Sequence, residues 1–384
     1  MMLRSLLLFV SLCVVLPTQE VTDLVLGTWN IEFLGADAKF RRDTEARSAD
    51  DVAAIGHKVK QLGVSLLAVQ EISGQAVLDV VARAAGSNWR AILGTSGAWD
   101  DKKTQQGVGF LYDSSVLDLL YAEELLDFPS ELDGVSVFHR KPVTAALRHR
   151  STGCDFRIVV VHLKAGQKDR DQQKRRAEAT HLRSWIDQLL SDQQEDHDIV
   201  ILGDFNSSYG DVPEQLLERD GAMQYLDHQT PSPTIVHFDT PIDQLCVAKQ
   251  FRELQRNSLT VHGVQGTAER LQWRKTYSDH FPVTARLTPL ADDDPDKTFS
   301  HGGPEQVLPT TRRAVASTEA SGDANTLQWP PTPGLHVEMY VDGRIVEGTL
   351  IHLPIERGWV VIDPGQGAIG WPMEKVSWLR VPPK

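Results

Sequence analysis

The sequence predicts an α/β domain that spans residues 21–287, followed by a linker and a small all-β module. Along residues 21–287, short apolar runs that suit buried strands alternate with segments whose apolar residues recur at helical spacing. This alternation is typical of domains in which helices pack on a sheet. A hairpin-like stretch at residues 107–112 adds antiparallel pairing, so we expect the sheet to be mixed.

Two segments carry the helical pattern most clearly. Apolar residues recur three or four positions apart between Val52 and Leu62, and Gly63 follows as a C-cap. The same spacing runs from Leu182 to Leu189, in a helix that also contains residues 174–176. The apolar runs between such helices are predicted as buried strands. These runs are residues 24–26, 65–69, 156–161 and 199–202.

The first twenty residues have the pattern of a signal peptide. Arg4 precedes an apolar run over residues 6–16, which is too short to span a bilayer. We therefore predict a secreted or periplasmic protein with no stable membrane span once residues 1–20 are removed. An uncleaved membrane anchor is the alternative interpretation of the same segment.

The composition changes after residue 287. Residues 288–331 are poor in aliphatic side chains and rich in Pro, Gly, Ser, Thr and charge, which predicts a disordered linker. Residues 332–384 contain short β-like runs separated by turns, and they predict a small β-barrel that resembles SH3 domains. Such a module can bind a further partner or serve as a stabilising appendage, and the sequence favours neither role.

Composition and charge exclude several classes of protein. With 41% hydrophobic and 24% charged residues, the 384-residue chain is neither disordered nor fibrous, and we expect a globular monomer. The formal net charge of −13 argues against a wholly cationic surface but leaves room for a local basic groove. Three cysteines are too few for a disulfide scaffold, and whether Cys154 and Cys246 pair stays open.

Polar side chains flank several of the predicted strands. In α/β sheets, ligands gather beyond the carboxyl ends of strands, and buried charges are costly unless they are paired or bound to a metal. We therefore expect these side chains to converge on one pocket. They are Asn30 and Glu32, Glu71, His162, Asp204 and Asn206, Asp243, and Asp279 and His280.

This set of side chains favours divalent-metal chemistry on a phosphate ester. Carboxylate and amide oxygens are ligands that Mg²⁺ and Mn²⁺ prefer, and histidines add acid–base chemistry. The sequence has no HExxH or CxxC pattern, which argues against zinc, and no Walker A motif or G-x-S-x-G elbow. A single acid at a strand end is more often a turn or cap residue, so the prediction rests on the combination.

The segments that hold these residues resemble the endonuclease/exonuclease/phosphatase superfamily, which includes pancreatic-type deoxyribonucleases, abasic-site endonucleases and neutral sphingomyelinases. They occur in the family's order between residues 24 and 287 and do not extend into the linker or the C-terminal module. The resemblance implies a four-layer sandwich, in which two mixed β-sheets pack together with helices outside. The matching segments are residues 28–32, 69–71, 139–142, 161–165, 203–207, 242–243 and 278–283.

The resemblance also implies a metal site for Mg²⁺ or Mn²⁺. In this assignment Glu71 is the main metal ligand. Asn30 and Asp279 lie near the metal, and Glu32 is adjacent to it or supports its ligands.

The same resemblance implies roles in the reaction itself. Asp204 would orient or deprotonate the attacking water, and Asn206 would hold a phosphate oxygen. His280 would contact the scissile phosphate, with Asp243 fixing its tautomer. His162 would be the second histidine for phosphate binding or acid–base chemistry, as in the deoxyribonuclease and sphingomyelinase branches.

The substrate is predicted from charge. By the resemblance Arg140 would bind phosphate, and Lys164 opens a stretch to Arg183 with seven basic and three acidic residues. A basic rim suits a polyanion, so we predict a nucleic-acid substrate, DNA or RNA. The same stretch also fits a solvated helix face. A sphingomyelinase or another phospholipid or nucleotide phosphodiesterase is the alternative, and a binding protein on an inactive nuclease fold is a further one.

Overall fold

The computed structural model describes residues 23–36, 47–99, 104–208, 210–226 and 232–300, and five strands between residues 336 and 380. The chain divides into two compact units, Met1–Arg312 and Arg313–Lys384. The predicted signal peptide, residues 1–20, lies outside the described residues. Among the helices of the described part, none has the length and apolar character needed to cross a bilayer.

The first unit contains two six-stranded sheets. In each, one neighbouring pair of strands is parallel and the other neighbours are antiparallel, as the prediction of mixed sheets requires. In spatial order the first sheet is β15 (Leu254–Val261), β16 (Val283–Pro289), β1 (Leu24–Leu34), β2 (Leu66–Ile72), β6 (Gly107–Asp113) and β3 (Trp89–Leu93). The second is β13 (Met223–Tyr225), β14 (Asp243–Ala248), β12 (Ile199–Asp204), β11 (Asp155–His162), β10 (Val143–His149) and β7 (Leu117–Glu124).

Among the described residues, short hairpins and five α-helices complete this unit. The hairpins are β4 (Ala98–Trp99) with β5 (Thr104–Gln105), and β8 (Glu131–Leu132) with β9 (Val135–Ser136). The helices are α1 (Ala49–Leu62), α2 (Gln75–Ala85), α3 (Asp169–Ser191), α4 (Val212–Glu218) and α5 (Thr267–Thr276). The predicted helix that ends at Gly63 is confirmed as α1, since Ser48 caps its start and Gly63 adopts a left-handed conformation after it.

Alternation along β1 explains how the layers stack. Leu24 and Leu26 face the core shared with the second sheet, while Trp29 and Ile31 face the core shared with α1 and α2. Helix α3 lies on the second sheet, where Leu182 and its apolar neighbours are buried. Each fully buried leucine or isoleucine contributes about 1.5–3 kcal/mol. The prediction of two mixed sheets flanked by helices is confirmed.

The segment after β16 lies against the second sheet. Thr298 accepts a backbone hydrogen bond from Asp196, and the backbone N–H of Ser300 donates to the Glu195 carboxylate at 2.7 Å. We predicted that the linker begins at residue 288, but the described chain is held by these bonds as far as Ser300. The remaining linker residues, 301–331, lie outside the described part.

The C-terminal unit contains one antiparallel sheet of five described strands. In spatial order they are β20 (Ile369–Pro372), β19 (Trp359–Asp363), β18 (Arg344–His352), β17 (His336–Val341) and β21 (Val376–Arg380). Four of them coincide with the β-like runs of the sequence, and β20 lies in a stretch that we did not predict as a strand. That the sheet closes into an SH3-like barrel stays a prediction.

The two cysteines of the described chain, Cys154 and Cys246, are buried and both are free thiols. They do not form a disulfide in this structure. The first unit is therefore held together by its two apolar cores without a covalent cross-link between described residues.

A group of buried acids lies at the start of the second sheet. Asp196, Asp198 and Glu253 are each less than a tenth exposed. Burial raises the pKa of Asp198 to about 10, and the charges of Asp196 and Glu253 add to the rise. Burial also raises the pKa of Asp196 to about 8. The folded protein therefore keeps protons on acids that the unfolded chain releases near pH 4.

We expect Asp198→Asn to stabilise the protein increasingly as the pH rises from about 4 to about 8. Over this range the unfolded state loses the Asp198 proton while the folded state retains it, so wild-type stability falls with rising pH. Asparagine removes that difference and should raise the melting temperature at pH 8 by about 2–4 °C, the shift produced by about 1 kcal/mol. Melting curves at pH 5 and pH 8 in EDTA measure this. The exposed Asp220→Asn is the control, and an equal shift at both pH values would contradict the expectation.

Candidate active site

The strand registers bring polar residues of both sheets together. In the second sheet, His162 ends β11 opposite Asp204 at the end of β12, and Asp204 lies opposite Asp243 on β14. In the first sheet, Asn30 on β1 lies opposite Gln70 on β2, directly before Glu71. The carboxyl ends of both parallel strand pairs therefore supply side chains to one site.

The close approach of β11 and β12 depends on Gly203. A Cβ atom at this position would lie 2.0 Å from the carbonyl oxygen of Val161. A larger residue would force the strands apart and separate His162 from Asp204, whose Nε2 and Oδ2 atoms are 3.4 Å apart. Glycine here is a requirement of the site as well as of the sheet.

Asn30 connects the acids of the two sheets. Its side-chain nitrogen donates to Asp204 Oδ2 at 3.0 Å and to Glu71 Oε1 at 3.3 Å. Its side-chain oxygen accepts a hydrogen bond from the backbone N–H of Glu32 at 3.0 Å. His162 Nε2 lies 3.8 Å from Glu71 Oε1, so the predicted site residues of β1, β2, β11 and β12 form one continuous polar cluster.

The end of β1 has an unusual backbone. Glu32 and Phe33 both have positive φ, 36° and 51°, a conformation that costs non-glycine residues of order 1–3 kcal/mol. Arg274 on α5 holds it by donating to Glu32 Oε1 at 2.7 and 2.9 Å, and Phe33 N–H donates to Glu71 Oε2 at 3.2 Å. Glu32, which the resemblance assigns to the metal or its supporting shell, is thus engaged with an arginine 242 residues later in the chain.

His280 is fixed by the carboxylate of Asp243. Its Nδ1 donates to Asp243 Oδ2 at 2.9 Å. Its Nε2 then lies 3.8 Å from Asp204 Oδ2 and 4.0 Å from Asp279 Oδ1. The hydroxyl of Thr234 accepts hydrogen bonds from the backbone N–H of Asp243 and of the preceding residue. This hydrogen bond joins the two residues that the resemblance pairs, and the roles it implies for them stay predictions.

Three further side chains hold the His280 segment and were not predicted. The hydroxyl of Ser278 donates to the Asn30 carbonyl at 2.6 Å and accepts from the His280 N–H at 3.0 Å. The indole N–H groups of Trp29 and Trp273 both donate to the His280 carbonyl, at 3.1 and 3.0 Å. Of these three, only Ser278 could have been found from the sequence, because it lies two residues before His280.

The two buried histidines have opposite electrostatic environments. Burial opposes a charge on His280, but the carboxylates of Asp243 and Asp204 outweigh it and hold the pKa of His280 well above its usual value. Burial and the positive charge of Arg140 lower the pKa of His162. The His162 Nδ1 atom is buried without a hydrogen-bond partner in the described chain. The site therefore holds one charged and one neutral imidazole at neutral pH.

The central acids have raised pKa values. Burial and the charge of Asp279 raise the pKa of Glu71 to about 7, against the opposing effect of Arg140. Burial raises the pKa of Asp204 to about 6, while His280 opposes the rise. A carboxylate with a pKa near neutrality is suited to accept a proton at physiological pH.

The predicted phosphate-binding residues are engaged with the protein. Arg140 donates to the carbonyl oxygens of His162 and Leu163 and to the Gln106 side chain, so it supports the end of β11. Asn206 lies two residues after Asp204, beyond the end of β12, and its side-chain N–H donates to the Leu163 carbonyl at 3.1 Å. Lys164 is partly exposed and donates to the adjacent Ala165 carbonyl.

The seven basic residues between Lys164 and Arg183 do not form a single surface. Arg183 is buried and donates to the carbonyl oxygens at the end of α4, and buried Arg175 donates to the Lys164 and Gly166 carbonyls. The basic rim is thereby reduced to the exposed basic residues of this stretch. They are Lys168, Arg170 and Arg176.

The donor set fits a hard divalent cation. Among the described residues, two groups of acids and histidines have ligand atoms within 4.8 Å of one another. One group is Asp204, Asp243 and His280, and the other is Glu253, Asp293 and Asp294. In the first group His280 already binds Asp243, and the carboxylates of Glu71 and Asp279 add oxygen donors beside it that no cationic side chain pairs as closely. Buried carboxylates in this number suit Mg²⁺ or Mn²⁺ better than a thiolate-preferring metal.

Comparison with known proteins adds a family match. Residues 27–280 match the profile of the Endonuclease/Exonuclease/phosphatase family. A deoxyribonuclease of Thioalkalivibrio sp. (strain K90mix) is 24% identical over 201 residues, which cover 51% of this chain and 50% of that protein. The chain thus spans about half the length of this curated relative.

Solved structures share the architecture of the first unit. The catalytic domain of human nocturnin, with bound sulfate, has a TM-score of 0.53 at 14% identity and covers 70% of this chain and 94% of its own. An endonuclease/exonuclease/phosphatase from Bacteroides vulgatus has a TM-score of 0.51 at 16% identity and covers 70% and 99%. At these identities the likeness concerns the fold alone.

Proposed function

The chain belongs to the endonuclease/exonuclease/phosphatase family, and on this premise we propose that it is a metal-dependent nuclease. Members of the family are hydrolases that act on phosphoester bonds, and this chain is one of them. Similarity to a deoxyribonuclease over half of that protein supports nucleic acid as the substrate. The exposed Lys168, Arg170 and Arg176 supply positive charge that a polyanion requires.

The observation that carries the proposal is the position of Asp204 between two unlike histidines. Its Oδ2 atom lies 3.4 Å from the neutral His162 and 3.8 Å from the charged His280. In this proposal Asp204 orients a water molecule and accepts its proton as the water attacks phosphorus in line with the leaving oxygen. His280, charged and held by Asp243, stabilises the negative charge that develops on the phosphoryl oxygens.

His162 and Asn206 complete the proposed arrangement. The neutral imidazole of His162 can donate a hydrogen bond to a phosphoryl oxygen without competing with Asp204 for the proton. Asn206 would contact a second phosphate oxygen with its side-chain amide. Arg140 supports both residues from behind, because it holds the His162 and Leu163 carbonyls.

Glu71, Asp279 and Asn30 would hold the metal. Enzymes of this family are metal-dependent, and the oxygen donors of these side chains suit Mg²⁺ or Mn²⁺. When bound, the ion would act as a Lewis acid that neutralises charge on the phosphate. The pattern of residues 1–20 makes a secreted or periplasmic location part of the same proposal.

Cleavage of supercoiled plasmid by the purified chain tests the proposal. We expect nicked circles in the presence of Mg²⁺ or Mn²⁺, complete loss of nicking in EDTA, and recovery when excess metal is restored. A parallel assay with single-stranded DNA and RNA extends the test to the other nucleic acids. A folded protein that binds the metal but cleaves none of these substrates would overturn the nuclease proposal.

A further inference from the structure

A cavity of about 360 Å³ opens beside the proposed phosphate site. It lies between residues 165–167, which follow β11, and residues 238–242, which precede β14. Asn206 lines the cavity, as do Arg175, Thr240 and Ile242. A group attached to a phosphate held by Asn206 would therefore enter this cavity.

Phe238 stands at the rim of this cavity and is 49% exposed. Among the exposed large apolar side chains of the described part, Phe238 is aromatic and the others are aliphatic. The remaining exposed ones are Leu120, Leu126, Val212, Leu271 and Leu290. Half of this phenyl ring is exposed, and a ring at a cavity rim offers a flat surface for stacking.

The short segment that carries Phe238 is anchored on both sides. Before it, the backbone N–H of Val236 donates to the Asp279 carbonyl at 2.7 Å. After it, the Ile242 N–H donates to the hydroxyl of Thr234 at 2.9 Å. The ring is therefore presented from a loop whose ends are tied to the active-site segments, which limits the ordering that binding requires.

We propose that this cavity binds an unstacked nucleobase of the nucleic-acid substrate, next to the scissile phosphate, with Phe238 stacking on the base. The inference rests on the proposed function and names its substrate class as single-stranded or unpaired nucleic acid. A base inside a duplex would first have to leave the stack, which costs a few kcal/mol, whereas a single strand offers its bases at little cost. Base–aromatic stacking tolerates any base, so we infer no sequence preference.

A second cavity adjoins the first and extends the proposed course of the strand away from the phosphate site. Its volume is about 460 Å³, and it shares Gln167, Arg175, Ser207 and Asp211 with the first. The exposed Arg176 lines it and provides a charge for the next phosphate of the strand. The two cavities together give a single strand a continuous course along the start of α3.

Phe238→Ala, Phe238→Trp and the control Leu271→Ala test the proposal on the full chain. Leu271 is 53% exposed and does not line the cavity, so its variant reports the loss of an exposed apolar side chain alone. We expect Phe238→Ala to lower kcat/KM for a single-stranded oligonucleotide about tenfold, the ratio that corresponds to 1.4 kcal/mol of lost stacking. Phe238→Trp, which keeps an aromatic ring, should recover most of this loss, and Leu271→Ala should match the wild type.

Binding of a single-stranded oligonucleotide that contains 2-aminopurine gives a readout without turnover. In EDTA, the fluorescence of this base should fall on binding to the wild type and to Phe238→Trp, and the fall should be absent with Phe238→Ala. If Phe238→Ala matches Leu271→Ala in both kcat/KM and fluorescence, the base site is overturned. A wild type that quenches 2-aminopurine but cleaves no nucleic acid would overturn the nuclease proposal alone.

Discussion

Asp204→Asn is expected to lower kcat about 10³–10⁴-fold with little change in KM. The carboxylate receives a hydrogen bond from Asn30 at 3.0 Å and faces both histidines, so it is the proposed proton acceptor of the site. Asparagine keeps the size of the side chain but cannot accept the proton of the attacking water. Removal of a general base typically costs 10²–10⁴-fold in rate.

The measurement is steady-state cleavage of an oligonucleotide at saturating Mg²⁺. Asp220→Asn serves as the control because it removes one exposed carboxylate at a distance from the described cluster. We expect Asp204→Asn to remain folded, since it takes away a buried charge rather than adding one. A variant that keeps more than a tenth of the wild-type kcat would exclude Asp204 as the proton acceptor.

Glu195→Ala is expected to lower the free energy of unfolding by about 3–5 kcal/mol. Glu195 pairs with Arg157, and both side chains are almost completely removed from solvent. Arg157 also donates to the Tyr121 hydroxyl and to the Ser300 carbonyl. Removal of the carboxylate leaves an uncompensated guanidinium charge in the interior, which is the costly way to break a buried ion pair.

The exposed pair of Arg150 and Asp118 provides the matched control. Their side chains are 51% and 47% exposed, so Asp118→Asn should cost less than about 1 kcal/mol. Urea unfolding followed by tryptophan fluorescence compares the two variants. The double variant Arg157→Met/Glu195→Leu should recover much of the loss, because it removes both charges together. Equal losses for Glu195→Ala and Asp118→Asn would contradict the expectation.

Much of the candidate site was predictable because it follows from strand direction. Apolar runs that end in Asp204 or His162 predict buried strands, and in α/β sheets the carboxyl ends of strands are where ligand sites form. The parallel register of β11 and β12 then places these two residues side by side. The local sequence pattern did not predict that the strands divide between two sheets. That prediction came from the family resemblance alone.

Contacts between distant segments could not be predicted from spacing. The pairing of Glu32 with Arg274 joins β1 to α5, and no periodic pattern connects them. The number of basic residues also overstated the basic rim, because the sequence gives no sign that Arg175 and Arg183 are buried. Both are buried, and their guanidinium groups donate to backbone carbonyls of the loop after β11 and of the end of α4.

The attachment of residues 298–300 to the second sheet sets the boundary of the catalytic unit. The carbonyl of Ser300 accepts from Arg157 at 3.0 Å, and its N–H donates to Glu195. A protein shortened to residue 287, where the composition changes, would keep every proposed catalytic residue but expose a charged pair that the tail now covers. The smallest piece of this chain that can be expected to fold as an enzyme therefore ends beyond Ser300, and a linker can be cut or replaced only after that point.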